Sequence, residues 1–372
     1  MHFIWWLKTV SEALMKKLLF LVGTRPEVIK VAPVLRECKK RKDLFPFLCT
    51  TGQQDALLKD TLSFFHITPD RAFTVRGDLT GKTGECLARF DEVLKETTPD
   101  AVLVQGDTLT AFAGGLAAFH RRVPVFHIEA GLRTRNAFSP FPEELYRRAI
   151  DHLSSLHFAP SERAAEALRR EGISEITIHT VGNTVIDGLY EEIEQSFSHP
   201  LLKERKKLLL LTLHRRESLG APLCSMLSGI ASALKARTDT VLFFPMHPNP
   251  TVQKAAREAL GNIPAVTLSD PIDTHTFRNL LAKATLVLTD SGGVSEEATA
   301  LGTPTLLLRD ETEREEGVDI GVLRLIGRER EKITAAITEY LDRPRPHTPS
   351  CIFGDGKASS RIADVIEKYF FS

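Results

Sequence analysis

The chain has 372 residues, of which 42% are apolar, and 48 Lys+Arg balance 48 Asp+Glu to a formal charge of zero. That length predicts two domains of roughly 180 residues, each long enough for its own core. The apolar content and charge balance exclude a disordered chain and a polybasic nucleic-acid binder, so function is sought in local sites.

The first residues, with Phe3, Ile4, Trp5, Trp6 and Leu7, lack the basic start and small-residue cleavage site of a signal peptide. Lys8, Ser11, Glu12, Lys16 and Lys17 interrupt the stretch before it could span a bilayer. Residues 1–14 are set apart as an N-terminal extension, read either as a start-site extension or as a loosely held helix. Apolar runs of strand length then recur at 18–23, 45–50, 101–106, 123–128, 156–160 and 176–181, each followed by helical spacing. A polar stretch from Glu191 to Lys207 follows, and the alternation resumes at 208–213, 241–245, 265–268, 284–288 and 303–308. Continuous apolar runs point to parallel strands buried on both faces. The expected fold is α/β, two doubly wound Rossmann-like domains facing a cleft, with residues 15–185 in the first and 186–356 in the second. Ala358, Ile362, Val365, Ile366 and Tyr369 form one apolar stripe, so 357–372 is expected to be a helix packing on the first domain. Cys38, Cys49, Cys86, Cys224 and Cys351 include no CxxC pair and read as buried small apolar residues in a reducing compartment.

Ligands of open parallel sheets bind beyond the carboxyl ends of the strands, which makes the residues after each run the candidates. Arg25 and Lys30 follow the first run; they suit an anion, or a solvated surface. Asp107 and Glu129 follow two consecutive runs, and Glu143 follows a loop containing Pro140 and Pro142. Carboxylates ending buried strands suit acid/base work, or structural pairing such as Glu129 with Arg133. In the second half His214, beside Arg215, could donate to a phosphate or a leaving group. Ser291, Gly292 and Gly293 precede a helix whose N–H groups suit a phosphate, though such a turn is also an ordinary loop. The remaining histidines show no ligand spacing, and no metal is expected. Gly77 to Thr83 falls one residue short of a P-loop, and no G-x-G-x-x-G follows a strand, so no dinucleotide cofactor is expected.

The strings GTRPEVIK (23–30), QGDT (105–108), HIEAGLRT (127–134), FPEE (141–144), HRRES (214–218), DSGG with Glu296-Glu297 (290–297), TER (312–314) and FGDGKASSRI (353–362) resemble the non-hydrolysing UDP-N-acetylglucosamine 2-epimerases in order and separation. The resemblance implies a GT-B-like, cytoplasmic homodimer that supplies UDP-N-acetylmannosamine for surface polysaccharides, needs no cofactor and binds neither nucleic acid nor membrane. It implies that Arg25, Lys30, Ser291, Gly292, Gly293, Glu297 and Arg314 hold UDP, with Glu297 on the ribose hydroxyls and Phe277 beside uracil. Asp107, Glu129 and Glu143 would be the catalytic carboxylates and His214 the histidine near the diphosphate. Tyr146 and Ser295 stand where the family usually has Asn and Gln, which leaves the exact 2-acetamido UDP-sugar open. The segment Thr51–Ala56 lacks a His-Arg pair frequent in relatives, and Arg76-Gly77-Asp78 replaces a more usual Pro-Gly-Gln, so weak or absent activation by UDP-N-acetylglucosamine is expected.

The proton on carbon 2 of the hexose is not next to a carbonyl, so its direct removal is implausible. Elimination of UDP across carbons 1 and 2, through a 2-acetamidoglucal, is the economical route. A hydrolysing epimerase releasing free N-acetylmannosamine, a GT-B glycosyltransferase and a nucleotide-sugar-binding regulator are the alternatives.

Overall fold

The computed structural model describes residues 15–52, 55–203, 206–213, 215 and 218–372. Among the site residues expected from sequence, His214 lies outside them, as do the extension 1–14 and two residues of the segment 51–56. The chain forms two compact units, Met1–Gly188 with Gly354–Ser372, and Leu189–Phe353. The chain passes from one to the other inside the helix Val185–Glu192.

In the first unit, every side chain from Leu18 to Val22 is buried, and the parity of a strand sorts them onto two cores. Leu18, Phe20 and Val22 pack with Val28, Val31, Leu35, Leu103 and Phe126, whereas Leu19 and Leu21 pack with Phe90, Val102 and Val104. The strands are β1 (Lys16–Val22), β2 (Leu44–Thr50), β3 (Arg71–Ala72), β4 (Ala101–Gln105), β5 (Val125–Ile128), β6 (Leu156–Ala159) and β7 (Ile178–Thr180). They form one parallel sheet in the order β3-β2-β1-β4-β5-β6-β7. The order reverses between β1 and β4, which opens a crevice at their carboxyl ends. Helix Ala358–Phe371 returns to this unit, burying Ile362, Ala363 and Ile366 in the core shared with the helix Arg25–Lys40.

The second unit repeats the plan with β8 (Lys207–Thr212), β9 (Thr240–Pro245), β10 (Val266–Ser269), β11 (Leu286–Thr289), β12 (Thr305–Leu307) and β13 (Leu323–Leu325). Its parallel order is β10-β9-β8-β11-β12-β13, reversing between β8 and β11. Each unit is a doubly wound, Rossmann-like α/β layer structure.

Three cysteines, Cys38, Cys49 and Cys86, are buried, but Cys224 and Cys351 are exposed, so the reading of all five as core residues is corrected. Both lie where the chain faces solvent, at the start of the helix Ala221–Leu234 and in the segment before helix Ala358–Phe371. The near-P-loop is a capped helix start: Asp78 accepts from Gly81 N at 2.8 Å at the head of the helix Leu79–Thr97. Among the described residues, no helix is long and apolar enough to cross a membrane, and no cluster of His, Cys, Asp or Glu could hold a metal ion.

Candidate active site

Glu129 leaves β5 in the left-handed region, at φ 67°, while its N–H donates to Phe158 O on the neighbouring strand. That turn brings its carboxylate among side chains supplied from β4 and from the segments that follow β1 and β7. Lys30, from the helix after β1, pairs with Oε1, and Asn183 Nδ2, just past β7, donates to the same oxygen at 2.9 Å. Gln105 Nε2, at the end of β4, donates to Oε2. Gly106 follows at φ 66°, and a Cβ there would stand 3.3 Å from Glu129 Oε2, so the carboxylate lies against the residue that precedes Asp107. Lys30, expected to carry positive charge toward a phosphate, thus has its ammonium on Glu129.

Asp107 is about a quarter exposed and is gripped by Arg147 Nη2, from the helix Glu143–Leu153. The two glutamates opening that helix divide their work. Glu144 is buried and accepts from the N–H groups of Thr134 at 3.0 Å and Arg135 at 3.1 Å, fixing the loop after Glu129, while Glu143 is half-buried. Tyr146, one turn on, stacks on Phe112 with centroids 4.6 Å apart.

Arg133 does not pair with Glu129. It reaches Asp151 Oδ2 at 2.7 Å and Glu171 at 2.9 and 2.7 Å, and Asp151 also meets His127 Nδ1 at 2.6 Å. Burial opposes the Asp151 charge, but His127 and Arg133 outweigh it and hold the carboxyl at about 2. His127 Nε2 donates to Gly106 O at 2.7 Å, so this buried cluster supports the backbone before Asp107 and after Glu129. In the first turn of the helix after β1 lies a further carboxylate, Glu27, which accepts from Thr108 Oγ1 at 2.7 Å, Thr24 Oγ1 at 2.8 Å and Gly23 N at 3.0 Å. Complete burial pushes it up to about 7 despite those donors.

In the second unit Ser291 caps the helix Gly292–Leu301 at the end of β11, leaving the N–H groups of the first turn at the strand's carboxyl end. Arg314 is buried across this turn: a Cβ on Gly292 would stand 2.7 Å from its Cζ, so only glycine allows the approach. Glu296 at 2.9 Å and Glu313 at 3.0 Å hold the guanidinium there. Among the described residues beyond its own helix, a Cβ on Gly293 would meet no atom within 4 Å. Ser295 turns back to Ser291 O at 2.6 Å. Glu297 accepts from Arg278 Nε at 2.9 Å and Nη2 at 2.7 Å, and Phe277 is half-buried against the core of Leu208, Leu210 and Phe243. Asp290 accepts from Ser218 Oγ at 2.8 Å and Arg215 N at 3.1 Å, tying β11 to the loop after β8.

The structure therefore gathers Lys30, Asp107 and Glu129 in one unit, and Ser291, Gly292, Gly293 and Arg314 in the other, with Arg25 at the head of the helix after β1. Sequence reasoning quoted Gln105 and Glu27 within strand-end motifs without giving either a role, and it missed Asn183, Arg147 and Arg278. Asn183 carried a usable signal, since it lies two residues past a strand-length apolar run.

A family model described as UDP-N-acetylglucosamine 2-epimerase matches residues 36–367. The UDP-N-acetylglucosamine 2-epimerase of Bacillus subtilis is 42% identical over 359 residues, covering 94% of each chain. Among solved structures, S. aureus MnaA in a co-structure with UDP superposes with a TM-score of 0.92 at 38% identity, covering 95% of this chain and 97% of that one. The UDP-GlcNAc 2-epimerase of Neisseria meningitidis bound to UDP-GlcNAc gives 0.89 at 37% identity, covering 95% and 100%.

Proposed function

The chain belongs to the UDP-N-acetylglucosamine 2-epimerase family, and from that premise we propose that it interconverts UDP-N-acetylglucosamine and UDP-N-acetylmannosamine without net hydrolysis, by elimination and re-addition of UDP. The observation that carries this reading is the Glu129 carboxylate lying against Gly106, one residue before Asp107, with Lys30, Gln105 and Asn183 donating to it. Two carboxylates at adjacent strand ends, each oriented by a separate cation, suit an acid and a base.

In this mechanism one carboxylate takes the carbon 2 proton as the bond from carbon 1 to the diphosphate breaks. Electrons of the C–H bond form the double bond of a 2-acetamidoglucal, and UDP leaves with the bonding pair. A second acid then delivers a proton to the opposite face of carbon 2 as the diphosphate returns to carbon 1. Asp107, Glu129 and Glu143 are assigned as the acid/base groups, and His214, on the sequence alone, as the donor near the diphosphate. Arg25, Ser291, Gly292, Gly293 and Arg314 would stabilise departing UDP with helix N–H groups and guanidinium charge. Lys30 serves Glu129 as well as that anion, Phe277 borders uracil and Glu297 takes the ribose hydroxyls.

Incubation of UDP-N-acetylglucosamine with the protein in heavy water, followed by NMR, tests the reading. Solvent deuterium should appear at carbon 2 of the product with no added dinucleotide. Asp107→Asn, Glu129→Gln and Glu143→Gln should each lower turnover by about 10²-fold or more. Full retention of the original hydrogen would sink separate-base elimination. Accumulation of free N-acetylmannosamine with UDP would instead make the enzyme a hydrolysing epimerase.

A further inference from the structure

Arg278 is among the largest fully buried side chains of the protein, and nothing in the proposed chemistry uses it. It lies on the helix Thr274–Lys283, directly after Phe277. Its Nε and Nη2 both donate to Glu297 Oε1, at 2.9 and 2.7 Å, and its Nη1 donates to Glu192 Oε1 at 2.8 Å. A buried guanidinium between two carboxylates is costly to assemble unless the geometry serves something, because each charge is taken out of water. Two donors on one carboxylate oxygen occupy both of its lone-pair directions. Glu297 Oε2 then remains as the acceptor, with no hydrogen bond among the described residues, on a side chain that is not wholly enclosed.

We propose that Arg278 is a positioning residue that spends Glu297 Oε1 on itself and so presents Oε2 to the ribose hydroxyls, making the site selective for ribonucleotides over deoxyribonucleotides. This rests on the assignment of Glu297 to the ribose. Both donors of this fork hold Oε1 in place, which restrains rotation about the Glu297 Cγ–Cδ bond and so the direction of Oε2. Glu192 anchors the far side of the guanidinium from the helix Val185–Glu192, a second hold that opposes Arg278 turning with Glu297. The helix that supplies Phe277 to the base thereby also sets the group that reads the sugar.

Calorimetric titration with UDP and with 2′-deoxy-UDP separates this role from a structural one. The unmodified protein should prefer UDP by about tenfold or more, the worth of a hydrogen bond to a charged acceptor. Arg278→Met should bind the deoxynucleotide nearly as before but lose most of the preference. Arg278→Lys keeps the buried charge without the fork, so it guards against misfolding and should lose at least half of the preference on a logarithmic scale. If either variant folds and weakens both nucleotides equally, with the ratio intact, Arg278 is structural and the proposal falls. If the unmodified protein shows no preference and Glu297→Gln changes neither affinity, the assignment of Glu297 has failed and takes the proposal with it.

Discussion

Desolvation works against the Glu27 carboxylate: its own hydrogen bonds from Thr108, Thr24 and Gly23 do not stop burial from raising it from 4.5 to about 7. A carboxyl that keeps its proton longer in the folded chain than in the unfolded one stabilises the fold fully below about 4.5, and that contribution fades as the pH rises through about 7. The full amplitude is roughly 3 kcal/mol. Glu27→Gln cannot ionise, so its thermal midpoint should fall less than the unmodified protein's between about pH 5 and pH 8. Parallel midpoint curves would show that Glu27 ionises alike in both states. Asp151 has the opposite sign. Held at about 2, below its ordinary 3.8, it contributes above about 3.8 and loses that contribution as the pH falls through about 2. At this scale the sequence showed which carboxylates end strands, so Asp107 and Glu129 were legible. Their partners were not: Gln105, Asn183 and Lys30 lie 24, 54 and 99 residues from Glu129, distances that no local pattern encodes.

Elements were legible to the extent that they are buried. Strand β1 reads as a strand because both faces are covered, whereas β3 and β13, with two and three residues at the sheet edges, carry no apolar run and were not anticipated. The Ser291-Gly292-Gly293 turn was legible as a helix start after a strand, but its two glycines differ in a way only packing shows. A methyl group at Gly292 would strike the Arg314 guanidinium, which Glu296 and Glu313 prevent from moving aside. Gly292→Ala should therefore lower both the thermal midpoint and, by about tenfold, the affinity for UDP. Gly293→Ala meets no atom of the described residues beyond its own helix and replaces a helical glycine, so its midpoint should hold or rise. If UDP approaches this turn, Gly293→Ala should nevertheless weaken UDP in calorimetry. Unchanged UDP affinity in both variants would remove the turn from the nucleotide site.

On the scale of the whole molecule, the chain leaves the first unit once and returns to it once, and the two passages meet at one carboxylate. Asp187, on the outgoing helix Val185–Glu192, accepts from Ser359 N at 2.7 Å and Ala358 N at 3.1 Å, at the head of the returning helix Ala358–Phe371. Lys357, at the N-cap position of that helix, makes no side-chain cap, so a residue about 170 positions upstream supplies one. Arg361 adds a bond to Val181 O at 3.0 Å. The apolar stripe of this helix was readable in sequence because its period is local; its cap was not, because the acceptor is distant. Asp187→Ala removes the acceptor for two N–H groups at the positive end of the helix dipole, a loss of about 1–2 kcal/mol. The burial of Ile362 and Ile366 stays intact, so the helix should remain docked but open more often. Amide hydrogen exchange over residues 358–371 should accelerate roughly tenfold, while exchange in β1 and β4 stays near the unmodified rate. Asp187→Asn, which keeps one acceptor oxygen, should fall between the two. Exchange in the helix that matches the unmodified protein would mean that its apolar face alone holds it, and that the latch between the outgoing and returning chain contributes nothing.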